Sequence, residues 1–193
     1  MGRGVVKFLG SFPGELPVVG LPEVAMAGRS NVGKSSAINA LLHNKGAARV
    51  SSTPGRTQAV NLFQIGEELV IADLPGYGFA RAPQAIVAGW KPMIEQYLGE
   101  RAALRLVVSL VDSRHDAQDL DLGLLDALSE AEIPFVVAAT KVDRLTKSER
   151  KPKLAKLAEG LGVPAVIPCS AKTGEGFDAV WAAIDAAAKR RAR

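Results

Sequence analysis

Short, almost uninterrupted apolar runs alternate along this chain with longer stretches of helical spacing. VAMAG, residues 24–28, predicts a buried strand that runs into a Gly-rich turn. Residues 34–43 place Ile38, Leu41 and Leu42 near one helical face. Residues 44–58 are loop-like. AVNLFQI and ELVIAD flank Gly66 and Glu67 and predict a hairpin. LPGYGFARAPQ is loop again. Residues 85–101 predict a helix in which Pro92 must start a turn or bend. LRLVVSLVD follows as a strand, residues 117–131 as a helix and PFVVAAT as a strand. Residues 148–161 then form a helix, PAVIP a strand and residues 177–190 an Ala-rich helix. Residues 1–20, broken by Gly and Pro, predict no element and are taken as an N-terminal extension.

This alternation predicts one α/β domain, a mostly parallel central sheet with helices on both faces. Ligands on such sheets bind at the carboxyl ends of the strands. The chain has 193 residues, a length that suits a single domain, and 48% are hydrophobic, enough for a sizeable core. No apolar stretch reaches the roughly 18 residues that span a membrane, and the start lacks a signal-peptide pattern. Cys169 is the single cysteine, so no internal disulfide is expected and a reducing cytoplasm fits. A monomer is the default.

The net charge of +4 is modest but clustered. Lys189, Arg190, Arg191 and Arg193 form a basic tail, and Arg144, Lys147, Arg150, Lys151, Lys153 and Lys156 crowd one stretch. Such clusters attract polyanions, but from charge alone a solvated helix face and a loose tail are the simpler account.

Gly28, Arg29, Ser30, Asn31, Val32, Gly33, Lys34 and Ser35 fit G-x-x-x-x-G-K-[ST] between a strand and a helix, the context that motif requires. Glycines there let backbone N–H groups converge on phosphate oxygens, and the helix start adds its positive dipole end. Lys34 is expected to reach the β- and γ-phosphates, and the Ser35 hydroxyl to ligate Mg²⁺. Ser36 completes the loop.

Asp73, Leu74, Pro75 and Gly76 follow the strand ELVIA. A carboxylate there can hold the water shell of Mg²⁺, and the Gly76 N–H can sense a γ-phosphate. Alone, Asp-x-Pro-Gly is more simply an ordinary turn. Thr57, with Thr53 as a rival, can complete the metal shell from the loop before the hairpin. Residues 44–58 and about 74–89 are therefore candidate switch loops.

Thr140, Lys141, Val142 and Asp143 end one strand; Cys169, Ser170, Ala171 and Lys172 end the last. The Asp143 carboxylate can accept from the ring N–H and exocyclic amine of guanine, whereas adenine presents an unprotonated nitrogen. The Lys141 stem can cover a base face, and the Ala171 N–H can donate to guanine O6. The ligand read from these residues is GTP or GDP.

Together LPEVAMAGRSNVGKSS, TPGRTQ, DLPGYGFA, TKVD and SAK resemble the bacterial EngB (YihA/YsxC) family of GTP-binding proteins, within the translation-factor-related P-loop GTPases. The resemblance implies a Ras-like fold, GTP, Mg²⁺ and slow hydrolysis. It also implies a role in assembling the large ribosomal subunit, through its precursor or rRNA, and in normal cell division and septation. It puts the phosphates on residues 28–36 and the metal on Ser35 and Thr57. Gly55, Arg56, Thr57, Gln58 and Ala59 become the first switch contact, Asp73 to Gly76 the second. Lys34 and Gly76 are the expected catalytic groups.

Two departures stand out. The broad GTPase pattern has Asn where Thr140 stands, and a shorter side chain predicts a weaker tether between base site and phosphate loop. Tyr77 stands where Ras-type enzymes carry a water-orienting Gln; packing is its simpler explanation. Asn31 matches a position that binds K⁺ in related GTPases, or it simply stabilises a turn. Two other classes stay open: a P-loop kinase acting on a small molecule, and a module that senses GTP without turnover.

Overall fold

The computed structural model describes residues 4–44, 46–47, 59–77, 97–99 and 101–189. Seven strands form one sheet: β1 (Val6–Phe12), β2 (Glu23–Gly28), β3 (Val60–Ile65), β4 (Leu69–Asp73), β5 (Leu104–Asp112), β6 (Phe135–Thr140) and β7 (Ile167–Pro168). Their spatial order is β1-β3-β4-β2-β5-β6-β7. From β4 to β7 the pairing is parallel, while β3 pairs antiparallel with both β1 and β4. Every residue of β2 and β4 is buried, as for strands covered on both faces.

Helices α1 (Lys34–Leu41) and α4 (Phe177–Ala188) cover one face. Ile38, Leu41, Val180, Trp181 and Ile184 pack there on Val24, Met26, Val108 and Leu110. Helices α2 (Asp119–Glu130) and α3 (Lys147–Gly160) cover the other, through Leu124, Leu125, Leu128 and Leu157 against Val107, Val111 and Val137. Each fully buried side chain of this size contributes roughly 1.5–3 kcal/mol.

Local chemistry sets the ends of these elements. Thr146 and Glu149 form a reciprocal capping box, so α3 starts one residue before its expected position. The Trp181 indole N–H donates to Leu41 O at 3.0 Å and closes the end of α1 against α4. PAVIP yields only a two-residue strand, because Pro164 and Pro168 lack the N–H that a longer ladder needs.

The N-terminal segment differs from its expected role as a bare extension. Val6–Phe12 is an edge strand on β3, with a register shift between Phe8 and Gly10. Gly10 has φ +148°, and the Phe12 ring would lie 2.9 Å from a Cβ placed there. Its half-exposed residues show no clean alternation, which hid the strand. The following loop is stapled to the sheet by Arg101, which bonds the buried Glu23 carboxylate at 3.0 Å and Pro17 O at 2.7 Å. Tyr97 also donates to Glu23.

Candidate functional site

The sequence motifs meet at the carboxyl ends of β2, β4, β5 and β6 and in the turn after β7. Gly28 ends β2 because nothing larger fits: a Cβ there would sit 2.9 Å from both Leu110 O and Val32 Cγ1. The loop then turns through Asn31 at φ +66° and Gly33 at φ +100°, and α1 begins at Lys34. Ser35 and Ser36 lie in its first turn. The open first turn leaves N–H groups and a partial positive charge facing the loop.

Lys34 pairs with the Asp73 carboxylate at the end of β4. The Asn61 amide donates to the other carboxylate oxygen at 3.3 Å. Both charged side chains are largely buried. Asp73 and Ser35 are hard oxygen donors, the type Mg²⁺ prefers, and the buried carboxylate already needs a cation beside it.

The segment after Asp73 is docked on the phosphate loop. Ser30 N donates to Tyr77 O at 2.7 Å, and the Ser30 hydroxyl approaches Gly76 O at 3.4 Å. Leu74 N bonds Met26 O at 3.1 Å, and Pro75 leads to the exposed Gly76. The Tyr77 side chain is buried, 3.4 Å from Asp121 Oδ1 on α2, and Arg29 Nε lies 3.1 Å from Asp121 Oδ2. Burial pushes the Tyr77 phenol above its ordinary value, and the Asp121 carboxylate adds to that. Burial likewise raises the Asp121 carboxyl, against the pull of Arg29. Tyr77 is thus a packed, protonated phenol.

On the base side, Asp143 Oδ1 accepts from the Ser170 hydroxyl at 2.7 Å. That bond, the largest effect, holds the Asp143 carboxyl below its ordinary range against slight burial. Val142 is buried and donates to Cys169 O at 3.2 Å, joining the two base-side motifs. Ala171 and Lys172 are exposed in the turn beyond. Burial pushes the Cys169 thiol up to about 12, aided by Glu175, so it is inert packing.

Thr140 reaches the phosphate loop despite its length: its hydroxyl lies 2.6 Å from Val32 O and 3.0 Å from Val111 O. Its pairing opposite Asp112 brings the end of β6 against that loop, so the single hydroxyl does reach across as a tether. Gly55, Arg56, Thr57 and Gln58, and the rival Thr53, lie outside the described residues; Ala59 stands just before β3. The predicted helix over residues 85–101 is helical at residues 97–99, has ended by Arg101, and otherwise lies outside them.

Two acidic residues absent from the sequence reading belong to this neighbourhood, Asp112 and Asp121. A carboxylate at the carboxyl end of a parallel strand was the available signal for Asp112; Asp121 offered none beyond helical spacing.

Gly176 fixes the turn that carries Ser170 and Ala171. Its φ is +86°, and a Cβ there would fall 1.8 Å from Pro168 O. Gly176→Ala is expected to cost about 2–4 kcal/mol, from the overlap and the left-handed strain together. Denaturant unfolding checks this; a loss under about 0.5 kcal/mol would mean the turn adapts freely.

The family described as 50S ribosome-binding GTPase matches residues 23–141. A probable GTP-binding protein EngB of Gemmatimonas aurantiaca is 43% identical over 184 residues, covering 93% of this chain and 90% of that protein. One from Koribacter versatilis is 46% identical over 180 residues, covering 90% and 88%. Among solved structures, a probable GTP-binding protein engB matches with a TM-score of 0.71 at 25% identity, covering 88% of this chain and all 100% of that one. The G domain of T. maritima FeoB matches with a TM-score of 0.56 at 30% identity, covering 88% and 99%.

Proposed function

Because the chain belongs to the EngB family of GTP-binding proteins and is a GTPase, we propose that it is a slow, Mg²⁺-dependent switch acting in the cytoplasm on the large ribosomal subunit or its precursor. The observation that carries the switch reading is the Lys34–Asp73 pair beside a Gly76–Tyr77 segment docked on the phosphate loop. A γ-phosphate competes with Asp73 for the Lys34 ammonium, so triphosphate binding has a direct handle on the segment that Asp73 begins.

The backbone N–H groups of the phosphate loop and of Ser35 and Ser36 hold the phosphates. Lys34 and the Gly76 N–H stabilise the charge that spreads over the γ-phosphoryl oxygens as water attacks. Ser35, Thr57 and Asp73 are the residues that would hold Mg²⁺, which when bound supplies positive charge to the β- and γ-oxygens. Asp143, braced by Ser170, accepts from guanine, and the Ala171 N–H donates to it. Tyr77, buried and protonated, offers no base to activate water. Slow unaided turnover follows, with acceleration left to a partner or to K⁺ at the exposed Asn31. Thr140 to Asp143 favour this over a small-molecule kinase.

The ribosomal role, with its link to division and septation, is supported by the family's described partner and by surface charge. That charge is smaller than the sequence suggested. Arg144, Arg150, Lys153 and Lys156 lie 2.7–3.9 Å from Asp143, Glu175, Glu149 and Asp116. Among the described residues, Lys147 and Lys151 are the exposed members of the cluster without an ion pair. Pull-down of precursor particles with GDP, GTP and a non-hydrolysable analogue tests the role. Retention with the analogue and release with GDP is expected, together with faster GTP hydrolysis on the particle. Nucleotide-independent retention, or none, would contradict it.

A further inference from the structure

Lys141 is held in a way that base coverage alone does not require. It adopts φ +60°, a left-handed conformation that is unfavourable for a non-glycine residue. Its stem passes Gly33, where a Cβ would lie 3.5 Å from Lys141 Cε. Its ammonium donates to Asn31 O at 2.6 Å and to Asp112 Oδ2 at 2.8 Å. Asp112 is buried and is itself gripped by Arg114, whose Nε and Nη2 lie 2.9 and 2.8 Å from the two carboxylate oxygens. The Arg114 backbone N–H adds a bond at 3.1 Å.

We propose that Asp112, oriented by Arg114, is a positioning residue for nucleotide binding: it pins Lys141 between the phosphate loop and the base site. This rests on the reading of Lys141 as the residue that covers the base. Burial opposes charge on Asp112, but the hydrogen bonds from Arg114 and Lys141 outweigh it and keep the carboxyl ionised below its ordinary range. The ammonium therefore meets a permanent anion at neutral pH. A free lysine stem samples many rotamers, and fixing it before the nucleotide arrives removes that entropy cost from binding. The same ammonium bonds Asn31 O, so base coverage and the shape of the phosphate loop become one unit.

The test is a mutant cycle on GDP binding with Asp112→Ala, Lys141→Ala and the double variant, each also measured with IDP. Asp112→Ala is expected to weaken GDP about tenfold, the scale of one charge-assisted hydrogen bond. IDP should weaken by the same factor, because the stem covers the ring face and does not sense the exocyclic amine. In the Lys141→Ala background, Asp112→Ala should add nothing. Asp112→Asn, which keeps an acceptor for the ammonium, should recover part of the loss. An additive double variant would overturn the proposal and make Asp112 a general structural brace. If Lys141→Ala itself leaves GDP affinity unchanged, the base-covering reading fails instead. Should Asp112→Ala not fold, the half-exposed Arg114→Ala replaces it in the same cycle, with an expected loss of about threefold and the same non-additivity.

Discussion

Asp143→Asn is expected to lower GDP affinity by a factor on the order of 10³ while raising affinity for XDP. Guanine presents two donors side by side, and a carboxylate accepts from both. Charge-assisted bonds of this kind contribute roughly 1.5–3 kcal/mol each, so losing the pair moves affinity by two to four decades. An amide offers one acceptor and one donor. Xanthine carries a carbonyl where guanine has its amine, so the amide's new donor meets an acceptor. The substitution is sterically neutral, and the Ser170 hydroxyl can still bond the side chain because it donates or accepts. A folded variant with new specificity is therefore predicted. Calorimetric titration with GDP, XDP and ADP checks it. Equal small losses for GDP and XDP would mean that Asp143 does not face the base edge.

Lys34→Ala is expected to reduce kcat/KM for GTP by on the order of 10³, most of it in kcat. Lys34 is the cation of the phosphate loop, and its partner in this structure is the buried Asp73. As the bond to the γ-phosphoryl group loosens, negative charge grows on the leaving β-phosphate oxygens, so an ammonium beside the β- and γ-phosphates stabilises the transition state more than bound GTP. Removing it also leaves the Asp73 carboxylate with the Asn61 amide at 3.3 Å as its remaining described side-chain partner, which adds a stability cost of about 1–3 kcal/mol. Lys34→Arg should restore little, because a planar guanidinium is not a compact point charge in a loop shaped around one. Single-turnover phosphate release separates the chemical loss from binding. A variant that loses affinity but keeps kcat would place Lys34 in ground-state binding alone.

Much of this site was legible because its parts sit where the fold must put them. β2, β4, β5 and β6 are dense apolar runs, and LRLVVSLVD was bounded to the residue as Leu104–Asp112. Once those strands are parallel, Gly28, Asp73 and Asp143 fall at one end of the sheet without further information. β1 was hidden because Gly10 breaks its pattern and an edge strand buries little on either face. The clamp on Lys141 was hidden for another reason. Asp112 reads as the polar end of a strand, and its partner Lys141 is brought beside it only by the β5–β6 pairing. That Thr140 makes the tether at all could not be read from side-chain length, since the gap it spans is set by backbone register. The basic cluster was overestimated because a count of lysines and arginines ignores carboxylates that other elements fold against them. Thr57 and its neighbours lie outside the described residues, so the first switch still rests on its motif.

On this reading triphosphate binding takes Lys34 from Asp73 and thereby moves the segment ending in Gly76 and Tyr77. The structure of the chain with Mg²⁺ and a non-hydrolysable GTP analogue tests it most directly. Lys34 Nζ is expected on a phosphate oxygen, with Asp73 released from it and the Gly76 N–H turned toward the γ-phosphate. A Lys34–Asp73 pair intact beside bound triphosphate, with Ser30 still bonded to Tyr77 as it is here at 2.7 Å, would contradict it.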